Sequence, residues 1–257
     1  MIPGKPIPIP FRITYDCQCG YVVVTIATKK ANFARPGQFM RVNFPSISRL
    51  EFHPWSIVYK SETSVTFMFS AGKNTYEWSA LLAEKLKQFS AIAANEKLVV
   101  HLQGPYGKEI GVYGNNQDLV IFYVGGTGLA ACIQAINKIL ARNDATTEDK
   151  RVKVILAWSA RKFKMAEISL LQSWNGVSND LLELELFETG LSAERANLDS
   201  LLKKHLLDFD TSIQDFLVGI FICGPASFTL DALNHAYFFS LQNPSIKLSI
   251  EMESFDL

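Results

Sequence analysis

Three glycines in four positions, Gly125-Gly126-Thr127-Gly128, follow the apolar run Leu119–Val124 and precede a stretch of helical periodicity. A strand that ends in such a loop and enters a helix gathers free backbone N–H groups and the positive end of the helix dipole at one point, which suits a phosphate. The spacing is not the G-x-G-x-x-G fingerprint. A close-packed strand–helix turn needs one glycine rather than three, so the nucleotide-binding reading leads. Gly72-Lys73-Asn74-Thr75 is a second candidate cradle between a strand and a helix, with Asn74 as N-cap and Glu77 completing a capping box. An ordinary capped helix start has the same residues. Arg161-Lys162 follows the apolar run ending at Trp158, on the edge where α/β sheets bind ligands. The fork of Arg161 suits a ribose 2′-phosphate, and no Asp or Glu directly follows that strand to accept a 2′-hydroxyl; a solvated basic loop reads the same.

His53-Pro54-Trp55-Ser56 leads into a strand after the turn Pro36-Gly37-Gln38. A flavin needs an aromatic face against its ring and a hydroxyl near N5, the atom that gains and loses hydride. Trp55 and Ser56 offer both from adjacent positions, although a proline turn with a core tryptophan fits the residues equally well. Gly104-Pro105-Tyr106-Gly107 is a tight turn. In Cys223-Gly224-Pro225 the glycine permits close backbone approach and the small thiol fits beside a nicotinamide, or is simply a buried cysteine.

Two kinds of element must position these residues. The first part reads as six short strands, Pro8–Tyr15, Tyr21–Thr28, Gln38–Phe44, Ser56–Lys60, Ser64–Ser70 and Leu98–Gln103, bounded by Gly, Pro and Asn. They predict a six-stranded antiparallel barrel interrupted by one helix, Thr75–Phe89. The second part alternates strands (Leu119–Val124, Val152–Trp158, Leu182–Phe187, Phe216–Cys223, Ile246–Glu251) with helices around 129–141, 193–207 and 227–239. That alternation predicts a five-stranded parallel sheet covered on both faces. The Gly- and Asn-rich stretch Gly111–Gln117 marks the seam, giving domains 1–112 and 113–257.

Among the 257 residues, 25 Lys and Arg balance 25 Asp and Glu, which argues against nucleic acid or an anionic surface as partner. Hydrophobic residues make up 48%, ample for packed cores. Cys17, Cys19, Cys132 and Cys223 fit no zinc spacing and read as reduced thiols, and no metal ligand set is expected. The opening Met1–Pro6 lacks the apolar core of a signal peptide, and no apolar run approaches the ~20 residues of a membrane helix.

In order and register, Pro36-Gly37-Gln38-Phe39, His53-Pro54-Trp55-Ser56, Gly104-Pro105-Tyr106-Gly107, Gly125-Gly126-Thr127-Gly128, Trp158 with Arg161, and Cys223-Gly224-Pro225 resemble the ferredoxin–NADP reductase superfamily. The nearest branch is the flavin module of fungal ferric/cupric reductases and NADPH oxidases. The resemblance implies an FAD-binding barrel followed by an NADP-binding α/β domain, with FAD and NADPH as cofactors. It implies that Trp55 packs on the isoalloxazine, Ser56 bonds flavin N5, and His53 takes the place of an arginine near the FAD phosphates. Gly72 and Thr75 would line the pyrophosphate. Gly126, Thr127 and Gly128 would hold NADPH, and Cys223 would stand near the nicotinamide. Phe255 would be the terminal aromatic over the flavin, although Asp256 and Leu257 follow it. Gln103 replaces an acidic residue, and Leu129-Ala130-Ala131 replaces a more usual Ile with Thr or Pro. The implied activity passes electrons from NADPH through FAD to a haem or metal acceptor. That places the chain on the cytoplasmic side, beside a haem-bearing membrane domain or subunit. An oxidase module would share these motifs, and a regulatory nucleotide-binding protein without turnover is the remaining alternative.

Overall fold

The computed structural model describes residues 7–8, 11–16, 21–72, 74–91, 98–111, 116–161, 171, 174–190, 195–206 and 216–254. The chain divides into two units, Met1–Glu109 and Ile110–Leu257.

The first unit is an antiparallel sheet of β1 (Ile7–Pro8), β2 (Phe11–Asp16), β3 (Tyr21–Ala27), β4 (Phe39–Asn43), β5 (His53–Lys60), β6 (Ser64–Ser70) and β7 (Val99–Tyr106). The strand order is β1-β7-β4-β5-β6-β3-β2, so the expected six-stranded barrel is corrected to a seven-stranded sheet. The two edge strands are not paired to each other among the described residues. The strand expected over Pro8–Tyr15 is two ladders: β1 pairs with β7 and β2 with β3. Proline at 8 and 10 supplies no N–H for one continuous ladder. The other five strands carry the core, in which Val22, Val24, Met40, Val42, Ile57, Val65 and Phe67 are fully buried. α1 (Trp78–Ala91) packs Leu82 and Leu86 into that core.

The second unit is a parallel sheet of β8 (Leu119–Gly125), β9 (Lys153–Ala160), β10 (Leu182–Glu188), β11 (Phe216–Gly224) and β12 (Ile246–Ser254), in the order β10-β9-β8-β11-β12. Every residue of β8 is buried, as its unbroken apolar run requires for a central strand. The helices with described bounds are α2 (Leu129–Asp144), α3 (Leu198–Leu206) and α4 (Ala226–Gln242). The chain order reverses between β8 and β11. In open α/β sheets, ligands bind at such a switch point, outside the carboxyl ends of the strands. No described helix is long and apolar enough to cross a membrane.

Candidate functional site

In the first unit, β5 alternates its side chains across the sheet. His53 and Trp55 turn toward α1. Trp55 is 6% exposed, lies flat on Phe69 with ring centroids 4.6 Å apart, and meets Trp78 edge-on at 5.8 Å. The aromatic face expected at Trp55 is therefore turned inward and is corrected to a core contact. Pro54 and Ser56 point the other way, with Pro54 exposed. Phe39 pairs with Ser56 on one side and with Tyr106 on the other. Directly opposite residues share a face, so Ser56 stands in a row with two aromatic rings 5.8 Å apart, Tyr106 being 43% exposed. The Gln38 amide ties this row together: its Nε2 donates to the Gly107 carbonyl at 3.0 Å and its Oε1 accepts from the Arg35 N–H at 2.9 Å. Gly104 and Gly107 hold φ of +111° and +87°, which their turn requires. Tyr106 went unnoticed in sequence because Gly104-Pro105-Tyr106-Gly107 reads as a turn, whereas the strand continues through it.

At the other end of the unit, the helix starts at Trp78, three residues later than expected. Asn74 caps a turn instead: its Oδ1 accepts from the Tyr76 N–H at 3.1 Å and its carbonyl from the Glu77 N–H at 3.0 Å. Thr75 is exposed in that turn. The Gly72 N–H donates to Ser79 Oγ at 3.1 Å, and the Glu77 carboxylate covers Gly72 so closely that a Cβ there would overlap it. His53 stacks on Trp78 with centroids 3.9 Å apart, and Trp78 Nε1 is a buried donor without a hydrogen-bond partner. The turn before α1 thus sets a partly buried glycine under a carboxylate, beside a buried indole N–H that has no hydrogen-bond partner.

In the second unit, the carboxyl ends of β8 and β11 meet. Gly125 closes β8, Gly126–Gly128 form a 3₁₀ turn, and α2 follows without a side-chain cap. Gly128 packs on Cys223: a Cβ would stand 2.6 Å from its carbonyl oxygen and 3.2 Å from Sγ. Only glycine allows that approach. Gly126 holds φ of +56°, and its carbonyl accepts from Trp158 Nε1 at 2.9 Å, which locks the loop to the end of β9. Gly224 lies under the Phe228 ring, and the Pro225 carbonyl accepts from the Thr229 N–H at 3.0 Å as α4 begins. Burial pushes the Cys223 thiol up to about 12, with Glu253 adding in the same direction. Cys223 is thus a neutral thiol. Glu253 pairs with Cys223 in the β11–β12 ladder. Crowding around its carboxyl, and then Glu251, raise it above the ordinary carboxylate value. Glu253 was missed because only the sheet order brings it to the switch point. Arg161 is exposed just beyond β9, and Gly190 packs against its backbone. Glu188 pairs with Ala160, so a carboxylate from the next strand stands near Arg161 although none follows it in sequence. Lys162, Phe255, Cys17 and Cys19, and part of the expected seam, lie outside the described residues.

The chain resembles known proteins in both units. Residues 10–110 match the FAD-binding domain family. The solved ferredoxin–NADP⁺ reductase from Neisseria gonorrhoeae, with bound FAD and NADP, has the same fold: TM-score 0.63 and 13% identity over 95% of this chain and 99% of that one. The chain therefore has the fold of a ferredoxin–NADP⁺ reductase, and residues 10–110 resemble an FAD-binding domain. Among curated proteins, the module is 29% identical over 160 residues to ferric reduction oxidase 2 of Arabidopsis thaliana, covering 62% of this chain and 20% of that protein. It is 28% identical over 146 residues to NADPH oxidase 4 of Pongo abelii, covering 53% and 24%. The module therefore spans about a fifth to a quarter of the length of these relatives.

Proposed function

We propose that this flavin module takes electrons from NADPH onto FAD and passes them to a metal or haem acceptor, as a ferric/cupric-chelate reductase does. The observation that carries this reading is the close packing of Gly128 on Cys223, which brings the carboxyl ends of β8 and β11 together, where one ligand would reach both. When bound, FAD accepts a hydride equivalent and releases electrons one at a time. The protein's own residues bind and orient. Ser56 offers its hydroxyl to flavin N5, and Phe39 and Tyr106 supply the apolar surface beside it in place of Trp55. His53, Gly72 and Thr75 take the FAD phosphates, and Pro54 borders the ring on the open face of β5. Gly125, Gly126, Thr127 and Gly128 receive the NADPH pyrophosphate at the start of α2. Arg161, with Lys162, holds the 2′-phosphate. Gly224 and Pro225 give the nicotinamide room, while Cys223, a neutral thiol, packs against it and Glu253 borders it.

In this reading the electrons end on an acceptor outside the module. That acceptor would be a haem-bearing membrane domain or subunit with this chain on its cytoplasmic side, and the likeness to a ferric reduction oxidase favours ferric iron as the final acceptor. The likeness to an NADPH oxidase favours oxygen as the second acceptor to examine. Ser56→Ala tests the flavin placement. An interaction made at the reacting atom contributes more to the transition state than to binding. The variant is expected to bind FAD with unchanged affinity and to reduce it at least tenfold more slowly under NADPH. Unchanged binding with an unchanged reduction rate contradicts the placement.

A further inference from the structure

At the start of α1, a stacked pair of rings from α1 and β5 carries two buried ring nitrogens without a hydrogen bond. Trp78 is the first residue of α1. Helical Cα–Cβ bonds tilt toward the N-terminus, so its side chain leaves the backbone on the side of the preceding turn, and its ring meets His53, Trp55 and Phe44. Trp78 is 8% exposed, and its Nε1 is buried without a partner. An indole N–H can only donate, and an unpaired buried donor is costly. His53 lies against this ring at 23° between planes. Its Nε2 is also buried without a hydrogen bond, with Glu51 Oε2 at 3.5 Å the charged group recorded beside it. The Glu77 carboxylate occupies the space over Gly72. Glu77 is itself exposed and free to swing out.

We infer that Trp78 is an FAD-binding residue whose indole N–H donates to a pyrophosphate oxygen of the cofactor. His53 is the positioning residue stacked on it, and the Glu77 carboxylate is the anion that the pyrophosphate displaces. The inference rests on the FAD reading above and adds to it a donor on α1 and a competing carboxylate. A hydrogen bond to a charged oxygen gives a substantial share of affinity, and its loss weakens binding by about 10-fold to 100-fold.

Calorimetric titration of the flavin-free protein with FAD, and separately with riboflavin, reads this directly. Trp78→Phe keeps a ring for His53 to stack on and removes one donor. It is expected to weaken FAD by at least tenfold and to leave riboflavin, which has no phosphate, unchanged. Glu77→Gln is expected to tighten FAD several-fold, more so at low salt. FAD affinity within twofold of the unaltered protein in a folded Trp78→Phe variant overturns the inference, as does an equal loss for riboflavin. If Trp78→Phe does not fold, the Trp78 indole N–H resonance of the unaltered protein decides. A downfield shift with FAD but not with riboflavin is expected, and an unmoved resonance overturns the inference. An unaltered protein that binds no FAD at all overturns the underlying reading, a result distinct from the others.

Discussion

Gly128→Ala is the sharpest perturbation the structure offers. The added Cβ would lie 2.6 Å from the Cys223 carbonyl oxygen, 3.0 Å from its carbonyl carbon and 3.2 Å from its Sγ. Two of these neighbours are backbone atoms of a central strand, so they cannot rotate away. The 3₁₀ turn and the end of β11 must separate by roughly 0.5–1 Å to restore ordinary contact, and overpacking of this kind costs about 1–3 kcal/mol. For a unit of this size that lowers Tm by roughly 2–12 °C. The same displacement moves the glycine loop away from the Cys223-Gly224-Pro225 turn, and misplacement of a reacting group by ~1 Å costs about 100-fold in rate. Gly125→Ala is the control, because its Cβ would meet only Pro225 and Phe228 side-chain atoms at 3.6 and 3.7 Å. Thermal melts and NADPH titration of both variants are the assay. Gly128→Ala should melt lower and lose NADPH affinity while FAD binding persists, and Gly125→Ala should melt closer to the unaltered protein than Gly128→Ala does. A Gly128→Ala variant that melts and binds NADPH like the unaltered protein refutes the reasoning.

Three further outcomes are expected. Trp55→Ala should destabilise the first unit by about 3–5 kcal/mol in chemical denaturation, as loss of a buried aromatic does, whereas Tyr106→Ala should leave stability nearly unchanged and weaken flavin binding; the reverse pattern would restore Trp55 as the stacking residue. Arg161→Ala should reduce the NADPH-to-NADH ratio of kcat/KM by tenfold or more, given about 1.5–3 kcal/mol for a charge-assisted contact, and the neighbouring Glu188 should then favour NADH; an unchanged ratio removes Arg161 from the 2′-phosphate. The Cys223 thiol ionises near 9 when unfolded and near 12 when folded, so over that window the folded chain binds more protons and stability falls as pH rises. Cys132, raised by burial, adds in the same direction. Melting temperature from pH 8 upward should decline less steeply in Cys223→Ala, and parallel slopes would contradict the assignment.

Much of the α/β unit is legible in sequence because its strands are continuous apolar runs punctuated by glycine. β8 and the Gly125–Gly128 loop stand within a residue or two of where periodicity puts them. The antiparallel unit is harder, since each strand has two faces and the sequence does not say which is wet. In His53-Pro54-Trp55-Ser56 the serine and the tryptophan are adjacent, so they cannot both face the ligand from a regular strand. The flavin reading asked for both, and the core took the tryptophan. Asn74 carries the right side chain for a helix cap, yet it bonds the N–H two residues on and forms a turn. Tyr106 and Glu253 depend on ladders to β4 and β11, contacts between residues far apart in the chain. No local pattern encodes them.

The central claim is that NADPH reduces FAD held by this module. Stopped-flow absorbance at the flavin band, with FAD-loaded protein mixed anaerobically with NADPH, tests it most directly. The account predicts rapid bleaching, slower with NADH, followed by slow recovery until a ferric chelate, a haem partner or another acceptor is supplied. A fully FAD-loaded sample that does not bleach with NADPH would contradict the account and leave a nucleotide-binding protein without turnover.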